Sequence, residues 1–347
     1  MAAAGFETHL VISADHTDVL KARELNVTVH PLPEETGRLA RIFRKTWRCW
    51  KHARRVNAEI YHFHDIELIP VGIALTAIGK KVIYDAHEDV TKDILTKHWI
   101  SPPLRKSVAW IAGAVEFCGA KAFASVVVVA PSTKARFEKY TRCVKEIRNY
   151  PKISAPFSNE TPNMEKHHVC YIGTISKARG ILEISQAVDL AESGTKLLLA
   201  GQFTEPGVLE EVSSLRSWDK IDYLGQIDHE EVKGVLSRSI AGLVTLHPTT
   251  SFKDALPIKM FEYMLAGIPV ISSNFPLWQE IIESCDCGMI VDPLKPQEIA
   301  EAMDYLARNP EDAERMGRNG KKAALETYCW QTEEEKLIAL YRELERP

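Results

Sequence analysis

The stretch HHVCYIGTISKARGILEISQAV, residues 167–188, changes period at Gly173. Its first part is a short β-branched and aromatic run suited to a buried strand, whereas ILEISQAV repeats its apolar residues at helical spacing. The loop between them carries Lys177 and Arg179. Unsatisfied N–H groups and the positive end of the following helix favour an anion there, and a guanidinium can grip phosphate oxygens through two parallel hydrogen bonds. A solvated βα loop whose cations bind nothing is the plainer alternative, since the segment is not GxGxxG.

The same alternation recurs outward from this unit. THLVI, NVTVHPLP, AEIYHFH, KVIYDAH and SVVVVAPS precede it, and KLLLAG, IDYLG, AGLVTLHP, PVISS and GMIVDP follow, among amphipathic helical patterns. Strand-then-helix repetition predicts an α/β protein with parallel sheets covered on both faces. Pro151, Pro156 and Pro162 interrupt both periodicities in RNYPKISAPFSNETPN, and 347 residues are about twice a single domain. The expected organisation is a first Rossmann-like domain over 1–150, a linker at 151–163, a second domain over 164–325, and a C-terminal helix over 326–347 crossing back to the first.

Hydrophobic content of 45% and charged content of 26% are globular values and exclude a disordered or low-complexity chain. Seven Cys without CxxC pairs fit neither a disulfide framework nor a structural zinc site, which predicts a reducing, cytoplasmic compartment. The most apolar stretch, Val108 to Ala130, is interrupted by Glu116 and Lys121, so no spanning helix is expected. The opening MAAAGFETHLVI lacks the marks of a secretory signal, so no export is expected. Residues 1–160 hold 24 Lys and Arg against 17 Asp and Glu, whereas 161–347 hold 19 against 30. A basic half is thus joined to an acidic half, which does not describe a nucleic-acid binder.

In a doubly wound sheet ligands sit beyond the carboxyl ends of the strands. That rule selects His62, His64 and Asp65, then Asp85, His87 and Glu88, then 173–180, then 247–262. In SFKDALPIKMFEYMLAGIPVISS, residues 251–273, Asp254 is placed for an N-terminal cap or a ligand contact, and Pro257 suits the start of a helix beginning near Ala255. Lys259 and Glu262, three apart, share a face, and Met260, Phe261 and Met264 supply an apolar one. A surface ion pair is the plainer reading of Lys259 and Glu262. Gly267 ends the helix.

At these residues the sequence resembles the retaining glycosyltransferases of family 4, whose two acids seven residues apart precede an alanine-glycine-x-proline-valine stretch. Here these are Asp254-x7-Glu262 and AGIPVIS, and DALPIKMFEYMLAG is close to the bacterial surface-polysaccharide branch. HFHD, VIYDAHED, RNYP, YIGTISKARG, LLLAGQF and YLGQIDHEEV extend the resemblance over nearly the whole chain. It implies GT-B architecture, two Rossmann-like domains facing a cleft. It also implies metal-independent transfer of a sugar from a nucleotide-diphosphate donor to an acceptor hydroxyl, with no cofactor and with anomeric configuration retained.

By position, the resemblance implies donor diphosphate binding by Gly173, Lys177, Arg179 and Lys259, ribose binding by Glu262, and contact with the transferred sugar by Asp254 and His87, the catalytic pair. Three departures stand out. Asp254 replaces the commoner Glu, Thr174 stands where many relatives carry Arg, and the initial strand, glycine loop and helix of the first domain are expected to be missing, through a shortened chain or a rearranged domain, since MAAAGFETHLVI matches the end of that helix and the second strand. The first-domain sheet is therefore expected to lack its central strand.

Two further segments invite other readings. His62, His64, Asp65, Asp85, His87, Glu88 and Asp89 could suggest a metal-dependent hydrolase, but later His residues do not supply the remaining ligands, so no metal is expected and His62 with Asp65 reads as a structural hydrogen-bond cluster. RLARIFRKTWRCWKHARRVN, residues 38–57, holds eight cations and no acid, with Leu39, Phe43, Trp47 and Trp50 at helical spacing. It is either a helix lying on anionic lipid, suited to a lipid-linked or glycan acceptor and a peripheral position at the inner membrane face, or an ordinary helix packing its stripe on the sheet. A nucleotide-sugar epimerase of the same fold and a degenerate, non-catalytic nucleotide-sugar-binding protein are the competing functions.

Overall fold

The computed structural model describes residues 1–13, 16–33, 41–87, 90–96, 100–153 and 167–346. The chain forms two compact units, residues 1–148 together with those from 333 onward, and residues 149–332. The first unit contains strands β1 (Thr8–Ile12), β2 (Val27–Pro31), β3 (Ile60–Phe63), β4 (Lys81–Ala86), β5 (Ser125–Val128) and β6 (Val144–Glu146). The second contains β7 (His168–Ile172), β8 (Lys196–Ala200), β9 (Ile221–Gly225), β10 (Ser239–Val244), β11 (Val270–Ser273) and β12 (Gly288–Val291). Among the described residues every strand pairing is parallel.

The second unit has one six-stranded sheet of order β12-β11-β10-β7-β8-β9. The chain runs from β7 outward to β9, then returns to the other side of β7, so the direction of winding reverses between β7 and β10. Strand periodicity builds a core on each face. Val169 and Tyr171 with Leu197 and Leu199 join one buried cluster, whereas Cys170 with Leu198 and Val244 joins the other. Residues 149–153 belong to this unit: Tyr150 packs edge-on against Phe261 and Tyr328, and Trp330 N–H donates to the Pro151 carbonyl. Most of the predicted linker, from 154 on, lies outside the described residues.

In the first unit the pairing is interrupted. β1 pairs with β2, and β3-β4-β5-β6 form a separate four-stranded sheet. Among the described residues, β1, β2, β3 and β6 each have one unpaired edge, so the strands of this unit fall into two sheets. Among the described residues, one face of the four-stranded sheet carries a large apolar cluster, built from Val82, Tyr84, Ala86, Val126 and Val128 with Phe123 and Phe137. His62 pairs in register with Ile83 on β4. Alternation therefore puts His62, His64, Asp85 and His87 together on the face opposite that cluster. The short strand β6 is an element that its sequence, VKE, does not announce.

The basic segment is described from residue 41, with a wide turn at Arg41–Lys45 followed by a helix over Thr46–Val56. Its aromatic residues do not form one buried stripe. Trp50 and Ala53 pack toward the core, while Phe43 and Trp47 are 71% and 58% exposed. Arg38 and Leu39 lie outside the described residues. No helix among the described residues is long and apolar enough to cross a membrane.

Candidate functional site

The residues singled out in the second unit gather at the carboxyl ends of β7 and β10, the switch point where such sheets bind ligands. Gly173 follows β7. Its φ of 120° is open to glycine, and a methyl group built there would lie 3.4 Å from Lys259 Nζ. A short turn, Lys177–Arg179, leads through Gly180 into the Ile181–Leu190 helix. Gly180 has φ 79°, and any side chain would strike the Thr245 carbonyl oxygen. This close approach, with the hydrogen bond from His247 N–H to the Ala178 carbonyl, locks the loop after β7 to the loop after β10.

The helix carrying Lys259 and Glu262 runs over Ile258–Ala266 and begins three residues later than the sequence reading placed it. Pro257 cannot donate an N–H and occupies the N-cap, while Asp254 ends the preceding turn, Thr250–Lys253, rather than capping this helix. Tyr263 fixes the helix on the sheet. Ile172 N–H donates to its hydroxyl at 3.0 Å, and its ring lies over Gly242 of β10, where a Cβ would clash.

Lys259 is therefore no surface ion-pair partner. It is buried, its Nζ has no hydrogen-bond partner and stands 3.6 Å from the centre of the Tyr171 ring. Burial, reinforced by the neighbouring Arg179 charge, lowers its pKa to about 7, against the opposing pull of Glu262. Burial likewise raises the Glu262 carboxyl, offset by Lys259. Arg179 is half-buried with its guanidinium 5.5 Å from the centre of the Phe252 ring. Thr245 Oγ1 is also buried without a hydrogen bond, whereas Glu183 Oε2 and His247 Nε2 contact each other at 2.9 Å. Unsatisfied buried polar atoms are costly, and Lys259 Nζ with Thr245 Oγ1 at one strand-end locus marks a place built for a polar ligand.

The structure thus brings together Gly173, Arg179, Lys259 and Glu262. Lys177 is exposed and paired with Glu211 at 2.5 Å. Asp254 is half-buried at the turn before the helix. The sequence reading selected His247 as a strand-end residue but missed Thr245 and Glu183 as its neighbours. The position of His247 just after a β-branched run was the available signal, but its contact with Glu183 depends on the Gly180 approach.

His87 belongs to the first unit and follows β4. Its Nδ1 lies 3.5 Å from Asp85 Oδ1, and its ring stacks on His64 at 4.7 Å. Asp85 Oδ2 is 3.2 Å from His62 Nε2 and 3.4 Å from His64 Nδ1. Burial works to raise the Asp85 carboxyl, but hydrogen bonds from His62 and His64 and the His87 charge outweigh it and hold the pKa at about 2. The expected pairing of His62 with Asp65 is corrected: Asp65 is exposed at the start of the Ile66–Leu68 turn, and His62 is held by Asp85 and by the Tyr341 hydroxyl at 2.9 Å. Glu88 and Asp89 lie outside the described residues.

Residues 155–323, just under half of the chain, match the family described as glycosyl transferases group 1. The chain is 27% identical over 180 residues to alpha-D-kanosaminyltransferase of Streptomyces kanamyceticus, covering 51% of this chain and 45% of that one. The matched region spans about half the length of such curated relatives. Similar solved structures include sucrose-phosphate synthase from Thermosynechococcus elongatus, with TM-score 0.75 and 19% identity over 99% of this chain and 90% of that one. Anabaena HepE in complex with UDP also has TM-score 0.75, at 15% identity, covering 98% and 94%. At these identities the likeness is one of fold, and the fold is that of the GT-B glycosyltransferases, two Rossmann-like units with parallel sheets.

Proposed function

We propose that the chain binds a nucleotide-diphosphate sugar on its second unit and transfers the glycosyl group to an acceptor hydroxyl with retained anomeric configuration, in the assembly of surface polysaccharide or another glycan. The proposed setting is the cytoplasm, at the inner face of the cell membrane, with a glycan or lipid-linked acceptor. One observation carries the reading: Lys259 Nζ, buried without a hydrogen-bond partner, is held against the glycine that ends β7, with Arg179 as its neighbour.

Breaking the donor's anomeric C–O bond leaves negative charge on the diphosphate. Cations already in place in a water-poor site stabilise that charge without reorganisation, so the chemistry asks for charge stabilisation more than for a nucleophile. Arg179 and Lys259 fill this role, aided by N–H groups at the start of the Ile181–Leu190 helix. Gly173 leaves room for the phosphates, and Lys177 reaches them only by leaving Glu211. Glu262 is assigned to the ribose hydroxyls, and Asp254 and His87 to the transferred sugar. Side-chain cations make a metal unnecessary at the diphosphate. The group 1 domain and the UDP bound by Anabaena HepE support this assignment and make UDP the first nucleotide to test.

Calorimetry with UDP and uridine tests it. Arg179→Ala should weaken UDP by about 1.5–3 kcal/mol, the range of a charge-assisted contact, while sparing uridine. Unchanged UDP affinity would remove Arg179 from the site. A panel of labelled donors then separates transfer from donor isomerisation and from binding alone.

A further inference from the structure

We infer that His62, His64 and Asp85 form a binding site for a divalent first-row transition-metal ion, with Zn2+, Co2+ and Ni2+ the ions that its donors suit. The inference does not rest on the transferase reading, since the cluster stands on the first unit. One nitrogen of each histidine and one carboxylate oxygen all lie within 4.8 Å of one another. Strand register makes this possible: H-x-H at the end of β3 and D-x-H at the end of β4 project from adjacent parallel strands onto one face of the sheet. Imidazole nitrogen and carboxylate oxygen are the donors that zinc, cobalt and nickel accept, and two His with one carboxylate leave coordination positions open.

Two observations beyond the cluster point to a ligand. Asp85 is 6% exposed, yet its Oδ1 has no hydrogen-bond partner, although Oδ2 is approached by both His62 and His64. The near neighbour of Oδ1 is His87 Nδ1 at 3.5 Å, and a buried carboxylate oxygen without a hydrogen bond in a ring of imidazoles is a place for a positive ion. The second is the Tyr341 hydroxyl at His62 Nδ1, 2.9 Å away. Such an outer contact fixes the ring with Nε2 toward Asp85 and His64, the arrangement that orients metal-binding histidines, and the Nε2–H that donates to Asp85 is given up when an ion binds. His64 is the solvent side of the site, with its side chain 57% exposed, so an ion has a path in.

The test is titration of chelator-stripped protein with Co2+, read by its visible absorption, and with Zn2+ by calorimetry. We expect one ion per chain. His64→Gln, at an exposed position that the fold does not need, should lower affinity at least tenfold, and His62→Gln at least as much. Tyr341→Phe should lower it about tenfold through the lost outer contact. His9→Gln is the control, because His9 and His30, 3.1 Å apart between ring nitrogens, are another histidine pair able to take an ion. Circular dichroism checks that each variant is folded. Absence of binding at millimolar Co2+, equal affinity in folded His64→Gln, or loss of the signal in His9→Gln would each overturn the assignment.

Discussion

Lys259 concentrates the energetics of the candidate donor site in one side chain. With its pKa lowered to about 7 from 10.5, the folded chain holds one proton fewer than the unfolded chain between those values. Unfolding therefore takes up a proton in that window, and the contribution of Lys259 to stability improves as pH rises from about 7 toward 10.5. Below it, a charged amine is held in a buried place at full cost. Lys259→Met should accordingly raise the thermal midpoint at pH 7 while weakening UDP binding at least tenfold. A diphosphate reverses the balance by favouring the ammonium form. At pH 8 UDP binding should take up protons, read as a dependence of the calorimetric heat on the ionisation enthalpy of the buffer, and the uptake should vanish in Lys259→Met. A higher UDP affinity at pH 9 than at pH 7 would contradict this role.

Among the elements, the Thr46–Val56 helix with the turn before it departs most from a simple amphipathic pattern. Phe43, Trp47, Lys51 and Arg54 recur at helical spacing on the outside, and Lys51 and Arg54 lie 5.6 Å from the Trp47 and Trp50 ring centres. An exposed face that mixes aromatic rings with cations suits the boundary between headgroups and acyl chains. Each cation near an anionic surface contributes about 1 kcal/mol, and the attraction fades within a Debye length. The protein should therefore sediment with anionic liposomes at low salt and be released by about 0.5 M salt. Replacing Arg44, Lys51, Arg54 and Arg55 by Gln should abolish sedimentation and leave UDP binding intact. Wild-type protein that ignores such liposomes would return this face to ordinary solvent exposure.

Across the whole molecule the two units are unequal. The second has a continuous six-stranded sheet with apolar clusters on both faces, whereas the first has its strands in two separate sheets and one large cluster. Local stability follows buried contacts and paired backbone. Amides in the described parts of 1–90 should thus exchange faster with deuterium than those in 167–293, and uniform protection would refute the inequality. Much of this was legible in the sequence, because strands are short apolar runs and β7 to β12 each begin or end at a glycine, proline or polar break. Arg179 and Lys259 were legible from loop and helix patterns. The burial of Lys259, the partner of His62 and the locking of the loops at Gly180 were not, since each depends on which strands become neighbours. The unpaired edges of β1 and β3 have a consequence for the chain in company with its own copies. An open row of N–H and C=O groups is a template on which another strand can add, so these edges, like the β9 and β12 edges of the second unit, are places where intermolecular sheet growth can begin as concentration or temperature rises.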